Sequence, residues 1–522
     1  MLGALAIALD FVESAGAQSL TRTKAAAPLV GFDSFVANVM KSFEVPGLSV
    51  AIVKDGRVLL AKGYGVRRLG APDAVDARTL FGIASNTKIF TATALALLVE
   101  EGAIEWDAPV IRYVPWFAMY DPFVTRELTV RDLLVHRSGL GLGAGDLLWW
   151  PPSTYDRREI ARRLRFIPPA TSFRTAYAYD NVLYTVAGEV LEAVSGKSWE
   201  DFVETRILRP VGMAGSNVRH STAGQGGNVA TPHASIEGTV RVIAPFASDN
   251  TNPAGGINSS AEDMAKWMMV QLDSGRLADG GRLFTPRSTR QLWAMVTPIE
   301  PGAVPAQLAP LRASFGGYAL GLGLRDYRGE KMLSHTGGLP GYVSRVAMIP
   351  SKRLGVVVLT NQESSGAFDA IVNRALDAFL GEPTFDWLAA FKWADERNAE
   401  ETRKAEAAAL SGRDTTSRPS LPLARYAGLY RDAWYGDVAI SDERSSLVMR
   451  FSKTPLLVGD LEHFQFNTFI VKWRDRELRA DAYVTFDLNP DGSIDRARMQ
   501  AVSPATDFSF DFHDLQLRPA KR

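Results

Sequence analysis

The sequence contains no cysteine, and its 58 basic and 58 acidic side chains cancel to a net charge of zero. The missing cysteines exclude disulfides, thiolate metal sites and a cysteine nucleophile. The charge balance argues against a nucleic-acid-binding protein and against a polybasic membrane patch. Any covalent chemistry must therefore come from an oxygen or nitrogen nucleophile.

Long apolar runs are also missing. Residues 2–9 are apolar and residues 15–17 are small, as in a secretory signal, but Asp10 and Glu13 interrupt the segment and no basic residue precedes Arg22. A signal-like segment and a plain N-terminal extension both stay open. The location therefore stays open too, with a periplasmic or secreted protein favoured over a cytoplasmic one. No other stretch approaches the roughly 20 apolar residues of a membrane helix, so we expect no integral membrane segment.

Several familiar site patterns do not occur. The chain has no Gly-x-Ser-x-Gly turn and no His-Glu-x-x-His helix, and its six histidines are scattered. Gly196-Lys197-Ser198 resembles the end of a phosphate-binding loop, but Leu191 stands where the first glycine belongs, so we interpret it as structural. The sequence therefore predicts neither a metal nor a cofactor.

The 522 residues suffice for more than one domain. Residues 47–61 predict a hairpin around Asp55-Gly56, residues 91–101 a helix, and residues 354–360 a further strand. Strands at both ends of a region with helices between them predict one α+β unit. Residues 396–422 read as a helix that runs into a polar linker. From residue 423 short strands and turns predict a small β-barrel or sandwich.

Ser85 and Lys88 form the chain's only Ser-x-x-Lys pattern, at the opening of the predicted helix. Residues three apart share a helical face, with Cβ atoms about 5–6 Å apart, so the lysine amine can reach the serine hydroxyl. The unpaired amides and dipole of a helix N-terminus disfavour an ammonium and favour a developing oxyanion. Both effects predict a neutral lysine that activates the serine. An N-cap serine beside a solvated lysine is the simpler alternative.

Two further patterns favour the activated serine over the N-cap serine. Tyr179 and Asn181 form the only Tyr-x-Asn, in a loop before a predicted helix. The other pattern is a strand segment whose glycines would let a substrate backbone lie close, His335-Thr336-Gly337-Gly338. Each pattern by itself also has a structural explanation. Tyr179 could be a buried aromatic residue, His335 a histidine within the sheet, and the glycines turn residues. All three elements in this order are much less expected by chance.

In this order the three patterns resemble those of the penicillin-binding proteins and serine β-lactamases, most closely the class C β-lactamase branch with its D-aminopeptidase and esterase relatives. The family order is Ser-x-x-Lys, Tyr-x-Asn and then Lys-Thr-Gly or a variant. The resemblance covers roughly residues 30–380. It implies an α+β fold, in which helices flank an antiparallel sheet and form an all-helical subdomain. The tail resembles the lipocalin-like barrel of some peptidase members.

The implied organisation has four parts. An N-terminal extension or signal-like segment (1–29) precedes a serine hydrolase domain (30–395), a helical and polar linker (396–422) and a C-terminal β-barrel domain (423–522). Homo-oligomerisation through the barrel is compatible with this organisation.

The resemblance also implies roles for the site residues. Ser85 would attack a carbonyl carbon and form an acyl-enzyme that water hydrolyses, while Lys88 and Tyr179 share proton transfer. Which of those two is the base stays open, because they are expected to titrate as a pair. The substrate-binding residues would be Asn181, His335, Thr336 and Gly337. The backbone amides of Ser85 and Gly338 would form the oxyanion hole.

His335 departs from the family, which usually has a lysine cation at this position. A histidine is largely uncharged at neutral pH, so we expect weak capture of anionic substrates and little β-lactamase activity. Histidine accompanies D-aminopeptidases in this family, which favours a peptidase or amidase acting on small peptides with D-residues or on linearised cyclic peptides. An esterase on short acyl esters, a β-lactamase, and a penicillin or cell-wall sensor that acylates without turnover are the alternatives.

Overall fold

The computed structural model describes residues 27–222, 227–444 and 446–520, so the signal-like segment predicted at the N-terminus lies outside the described residues. The helices are α1 (Phe32–Ser42), α2 (Lys88–Glu100), α3 (Pro122–Glu127), α4 (Arg157–Arg163), α5 (Val182–Ser195), α6 (Trp199–Val203), α7 (Arg209–Val211), α8 (Asn252–Gly255), α9 (Ala261–Leu272), α10 (Pro286–Leu292), α11 (Ser365–Leu380) and α12 (Trp387–Ser411). Short 3-10 turns connect many of them.

The strands divide between two large sheets and two small ribbons. Those before α11 are β1 (Gly47–Lys54), β2 (Arg57–Gly65), β3 (Phe81–Gly82), β4 (His233–Ile236), β5 (Thr239–Val242), β6 (Asn258–Ser259), β7 (Thr297–Pro298), β8 (Gly316–Tyr318), β9 (Gly323–Tyr327), β10 (Glu330–Leu339), β11 (Tyr342–Ile349) and β12 (Leu354–Thr360). Those after α12 are β13 (Gly428–Asp432), β14 (Gly436–Glu443), β15 (Ser446–Phe451), β16 (Val458–Gln465), β17 (Thr468–Trp473), β18 (Ala482–Leu488), β19 (Ile494–Ala501) and β20 (Arg518–Pro519).

The first large sheet is antiparallel, with eight strands among the described residues in the order β2-β1-β12-β11-β10-β9-β8-β7. Distant segments meet in it, because β1 pairs with β12. Alternate residues of β1 enter two different cores, Val50 and Ile52 on one face and Ala51 and Val53 on the other. A strand that is apolar on both faces needs cover on both sides, and α1, α11 and α12 supply one of the two layers.

The helix α2 occupies the centre of the other layer. Its side chains from Lys88 to Leu98 are all buried, on every side of the helix. A helix that is apolar all round must be surrounded by protein. Helices α3 to α8 pack with α2 into the larger core and form the helical subdomain that the family resemblance implies. The fold class predicted for this part of the chain is confirmed.

The second large sheet is a barrel, with eight strands in the described part of the chain in the order β19-β18-β17-β16-β15-β14-β13-β20. Backbone hydrogen bonds between Ala497 and Leu517 bring its two ends together. The predicted barrel is confirmed. The sequence pattern predicts strands at 428–430, 437–440, 446–451, 469–473 and 483–486, but not β16, β19 or the two-residue β20. Strands β16 and β19 carry charged side chains on their outer faces, so neither has the pattern of a continuous apolar strand.

The barrel contacts the first part of the chain directly. The Arg163 guanidinium of α4 donates to the Trp434 carbonyl at 2.8 Å, and the Thr154 amide donates to the Lys453 carbonyl at 2.8 Å. Arg479 forms a two-pronged ion pair with Glu363 beside the end of β12. The barrel therefore docks on the side of the molecule where the helical subdomain meets the first sheet.

Candidate active site

Ser85 lies in a 3-10 turn, Ala84–Thr87, and α2 begins only at Lys88. The sequence predicted one helix through both residues, and the tighter turn is the difference. Ala84 has a φ of +49°, in the left-handed region that residues with a Cβ rarely adopt. Backbone strain of this kind persists where the surroundings enforce it, and here it directly precedes the serine. The turn still brings the Lys88 amine to the Ser85 hydroxyl, with Nζ 3.0 Å from Oγ.

The Lys88 amine is fully buried and has three oxygen neighbours. Besides the Ser85 hydroxyl, it contacts Asn181 Oδ1 at 2.8 Å and the Ala254 carbonyl at 3.0 Å. Both of these oxygens can only accept hydrogen bonds. A neutral amine has two N–H groups and one lone pair, so the two acceptors take the two N–H groups. The lone pair is then directed at Ser85.

The burial of Lys88 also sets its charge. Burial lowers the pKa of the Lys88 ammonium from 10.5 to about 7, and the nearby carboxylates of Asp146 and Asp180 oppose that shift. A large fraction of this lysine is therefore neutral at neutral pH. The pKa shift has the direction that the sequence predicted, and its largest cause is the loss of solvent.

Tyr179 completes the predicted group. Its ring centroid lies 4.9 Å from Lys88 Nζ. Burial raises the pKa of the Tyr179 phenol well above its usual value, and a hydrogen bond with Ser85 opposes the rise only in part. Tyr179 is therefore a protonated phenol at neutral pH. It can donate a proton but is poorly suited to serve as the base.

Asn181 is 5 % exposed, and both atoms of its amide group have protein partners. Oδ1 accepts from Lys88, and Nδ2 donates to Asp146 Oδ2 at 2.9 Å. The other Asp146 oxygen accepts from the Trp149 indole at 2.8 Å. In the structure Asn181 therefore links Lys88 to Asp146, and its predicted contact with substrate stays a prediction.

A buried histidine and a second carboxyl group lie behind the tyrosine. The His136 ring packs against Tyr179 at a centroid distance of 4.3 Å, and its Nδ1 accepts from the Asp180 amide at 3.2 Å. Burial lowers the pKa of His136 well below its usual value and raises the pKa of Asp180 to about 7. His136 is therefore neutral, and its ring packs against the ring of Tyr179.

The strand β10 carries the third predicted pattern past the serine turn. A Cβ on Gly337 would lie 2.2 Å from the Ile83 carbonyl oxygen, so only glycine allows this close approach. A Cβ on Gly338 would meet nothing within 4 Å. Thr336 and Gly338 are exposed, while Gly337 is buried. Side chains alternate along a strand, so Thr336 and Gly338 lie on the exposed side of β10, opposite the contact of Gly337 with the serine turn. Their predicted contacts with substrate stay predictions.

His335 lies on the buried side of β10 and points into the protein. Its Nδ1 contacts the Thr336 carbonyl, and its Nε2 lies 2.7 Å from the Tyr318 hydroxyl. A carbonyl only accepts, so Nδ1 carries the proton and Nε2 accepts from the phenol. Burial lowers the pKa of His335 to about 3. The side chain is therefore neutral at all physiological pH values.

Sequence reasoning missed several polar groups that surround Lys88. Asp146 lies in a glycine-rich loop, and Ala254 contributes only its backbone, so neither shows a motif. Asp511 and Phe508, which follow β19, reach the same region from the barrel side. Within the described residues no cluster of potential metal ligands and no helix long and apolar enough to cross a membrane is found.

Comparisons with known proteins agree with this architecture. The Beta-lactamase family model matches residues 32–380, and a domain of unknown function (DUF3471) matches residues 412–519. The chain is 29 % identical over 441 residues to the Unguisins hydrolase ungD of Aspergillus violaceofuscus, covering 78 % of this chain and 76 % of that protein.

Two solved structures show the same fold. The octameric penicillin-binding protein homologue from Pyrococcus abyssi has a TM-score of 0.59 and 22 % identity, covering 94 % of this chain and 99 % of that one. The D-amino acid amidase from Ochrobactrum anthropi has a TM-score of 0.53 and 22 % identity, covering 67 % and 99 %. Because the family model matches more than half of the chain, this protein belongs to the β-lactamase family and is a serine hydrolase of that fold.

Proposed function

We propose that the protein is a peptidase or amidase that works through an acyl-enzyme on Ser85. The observation that carries this proposal is the environment of Lys88 Nζ, where two obligate acceptors leave the amine's lone pair for the Ser85 hydroxyl. A serine hydroxyl is a weak nucleophile unless an adjacent base removes its proton. Lys88, with a pKa of about 7, supplies that base at neutral pH.

In the acylation step, Ser85 Oγ bonds to the carbonyl carbon of the substrate and its proton passes to Lys88. The C–N bond then breaks, and the leaving nitrogen takes up a proton from Tyr179. Tyr179 is protonated at neutral pH, since burial raises the pKa of its phenol, and it regains its proton from Lys88. The two residues thereby have different roles, Lys88 as base and Tyr179 as acid.

In the deacylation step, a water oxygen bonds to the acyl carbon and the bond to Ser85 Oγ breaks. One water proton returns to the serine oxygen through Lys88. The products are a carboxylic acid and the free amine. During both steps the backbone amides of Ser85 and Gly338 would hold the carbonyl oxygen, and the loss of one such donor typically costs about 3 kcal/mol.

The neutral His335 supports a substrate without an obligatory carboxylate. A site built for an anionic substrate needs a cation facing it, whereas His335 is 8 % exposed and bonded to Tyr318. The names of the relatives agree with amide substrates, because one is an unguisins hydrolase and another a D-amino acid amidase. We therefore favour small peptides, including peptides with D-residues and linearised cyclic ones.

The deciding experiment compares four substrates on the purified protein: a D-peptide anilide, an L-peptide anilide, a p-nitrophenyl ester and a chromogenic cephalosporin. We expect the D-anilide to have the highest kcat/KM, by about tenfold or more, which corresponds to about 1.4 kcal/mol of transition-state binding. A larger value for the ester or the cephalosporin would select the esterase or the β-lactamase. Labelling of Ser85 without turnover would select a sensor.

The matched control is Ser85→Ala. We expect this change to abolish hydrolysis of all four substrates and to leave the melting temperature within about 2 °C, because the serine is half-buried and the change removes one atom. Retained turnover in this variant would remove Ser85 from the mechanism.

The division into domains and the self-association of the chain are also proposals. We divide the chain into a hydrolase domain (30–395), a linker (396–422) and a barrel domain (423–522). The homologue from Pyrococcus abyssi is octameric, which supports testing this protein for self-association. Light scattering on the purified chain would show whether it forms more than a monomer.

A further inference from the structure

A segment of the barrel reaches the active site. After β19 the chain leaves the barrel, and residues 507–511 lie against the loop that carries Asp146. We propose that Asp511 and Asp146 are positioning residues, which together orient the Asn181 amide so that its oxygen faces Lys88. This inference rests on the proposed role of Lys88 as base.

The first contact fixes the loop. Asp511 is fully buried, and its two oxygens accept from the backbone amides of Gly145 at 2.6 Å and Leu147 at 3.1 Å. These amides flank Asp146 at the start of a 3-10 turn, Asp146–Leu148. Gly145 has a φ of +84°, a conformation that favours glycine. Burial raises the pKa of the Asp511 carboxyl group well above its usual value, and the two amide hydrogen bonds oppose that rise. A buried carboxyl group that accepts from both amides holds the turn in this position.

The second contact fixes the amide. Asp146 accepts from Asn181 Nδ2, and its other oxygen is held by the Trp149 indole. Burial raises the pKa of Asp146 to about 7, and the hydrogen bonds with Trp149, Asn181 and Ser509 favour its ionised form. In that form the carboxylate can only accept, so the NH₂ group of Asn181 must face it. The Asn181 oxygen is then left for Lys88, 2.8 Å away.

The reverse orientation shows why this matters. With the amide turned over, the NH₂ group of Asn181 would face the Lys88 amine, and only the lone pair of the neutral amine could accept from it. The lysine would lose one of its two acceptors, and its lone pair would no longer be constrained toward Ser85. A donor and an acceptor that are well matched in a buried site thus determine the geometry of the proton transfer.

Two neighbours in the same segment show that it is fitted to the site. The Ser509 side chain forms a hydrogen bond with Asp146, and the edge of the Phe508 ring contacts Tyr179 at a centroid distance of 6.0 Å. A Cβ on Gly143 would lie 2.7 Å from the Phe508 carbonyl, so the two backbones touch. The segment therefore meets both the carboxylate and the tyrosine.

The test uses the full-length protein with four variants: Asp511→Asn, Asp146→Asn, the double variant and Arg163→Gln. The first two should each lower kcat about 10- to 100-fold and leave KM within about threefold, because misdirection of the base slows chemistry more than binding. The double variant should be no slower than the slower single variant, because both residues act through Asn181. Arg163→Gln removes a barrel contact away from the site and should leave kcat unchanged.

Labelling of Ser85 by a fluorophosphonate probe separates the two levels of the proposal. The wild type should be labelled quickly and the Asp511 and Asp146 variants about 10- to 100-fold more slowly. A wild type that takes no label would overturn the proposed function itself. Equal labelling of all variants, or additive effects in the double variant, would overturn the positioning role alone.

A second variant covers the case in which Asp511→Asn fails to fold. Ser509→Ala removes the side-chain hydrogen bonds of Ser509 with Asp146 and Asp507 but leaves both carboxyl groups in place. We expect a fall in kcat of about 3- to 10-fold with the fold retained. An unchanged kcat in this variant, together with an unchanged kcat for Asp146→Asn, would contradict the proposal.

Discussion

The ionisable group beside the first sheet and the ion pairs on the outer face of the barrel lie in opposite surroundings. Around the first sheet, Lys88, Asp146 and Asp180 are fully buried. On the barrel, pairs such as Arg498 with Asp487 lie at the surface, with the arginine side chain half exposed. Buried charges are costly and surface pairs contribute little to stability, so a buried group with shifted pKa values beside a serine is a candidate for function. The contrast separates the buried group around Lys88 from the surface pairs of the barrel, and Asp511 is the barrel residue that belongs with the buried group.

The largest expected effects come from the buried group. Lys88→Ala removes the proposed base and Tyr179→Phe removes the proposed acid, and each should lower kcat at least about 100-fold. The control is Lys197→Ala, since that lysine is exposed and lies in the glycine-lysine-serine pattern interpreted as structural. Changes within a few-fold for Lys88→Ala would place the base elsewhere.

The next effect concerns adjacent glycines of β10. Gly337→Ala introduces a Cβ 2.2 Å from the Ile83 carbonyl, so the strand must move away from the serine turn. We expect a loss of about 1–3 kcal/mol in the free energy of unfolding, measured by urea denaturation, together with reduced activity. Gly338→Ala has open space at the same atom and should unfold like the wild type. Equal stability of the two variants would contradict the close approach.

A pH profile of kcat/KM tests whether the buried Lys88 is the base. A base must be unprotonated, so kcat/KM should rise with pH through an apparent pKa near 7, that of Lys88 coupled to Asp146 and Asp180. Asp146→Asn removes a negative charge that raises the pKa of Lys88, so the acid limb should move to lower pH. Because the pKa of Tyr179 is raised, no basic limb is expected below about pH 10.

If the acid limb lies at the same pH in the Asp146→Asn variant, the apparent pKa of the profile does not belong to Lys88. Histidine 335 does not complicate this measurement, because burial lowers its pKa to about 3.

The smallest expected effect lies on the barrel. Arg498→Gln breaks a surface pair with Asp487, in which two nitrogens of the guanidinium each lie 2.9 Å from a carboxylate oxygen. We expect a change of about 1 kcal/mol or less in unfolding free energy and no change in kcat. A large loss of activity in this variant would mean that the outer face of the barrel communicates with the site.

Much of the site could be predicted from sequence because its central contact is local. Ser85 and Lys88 are three residues apart, so one turn of helix brings their side chains together whatever the rest of the chain does. The hairpin around Asp55-Gly56 and the apolar run of β12 are local signals of the same kind. Strands with charged outer faces, such as β16 and β19, lack such a signal and were missed.

The amino-acid sequence alone therefore determined which groups are available and which near neighbours can meet. Only the tertiary structure decided the charge of Lys88, because its pKa depends on burial by segments far along the chain. The tertiary structure also decided which way the Asn181 amide faces, because the amide donates to Asp146, a residue that belongs to no sequence motif. Asp511 reaches Gly145 across 366 residues of chain, and no local periodicity encodes a contact over that separation.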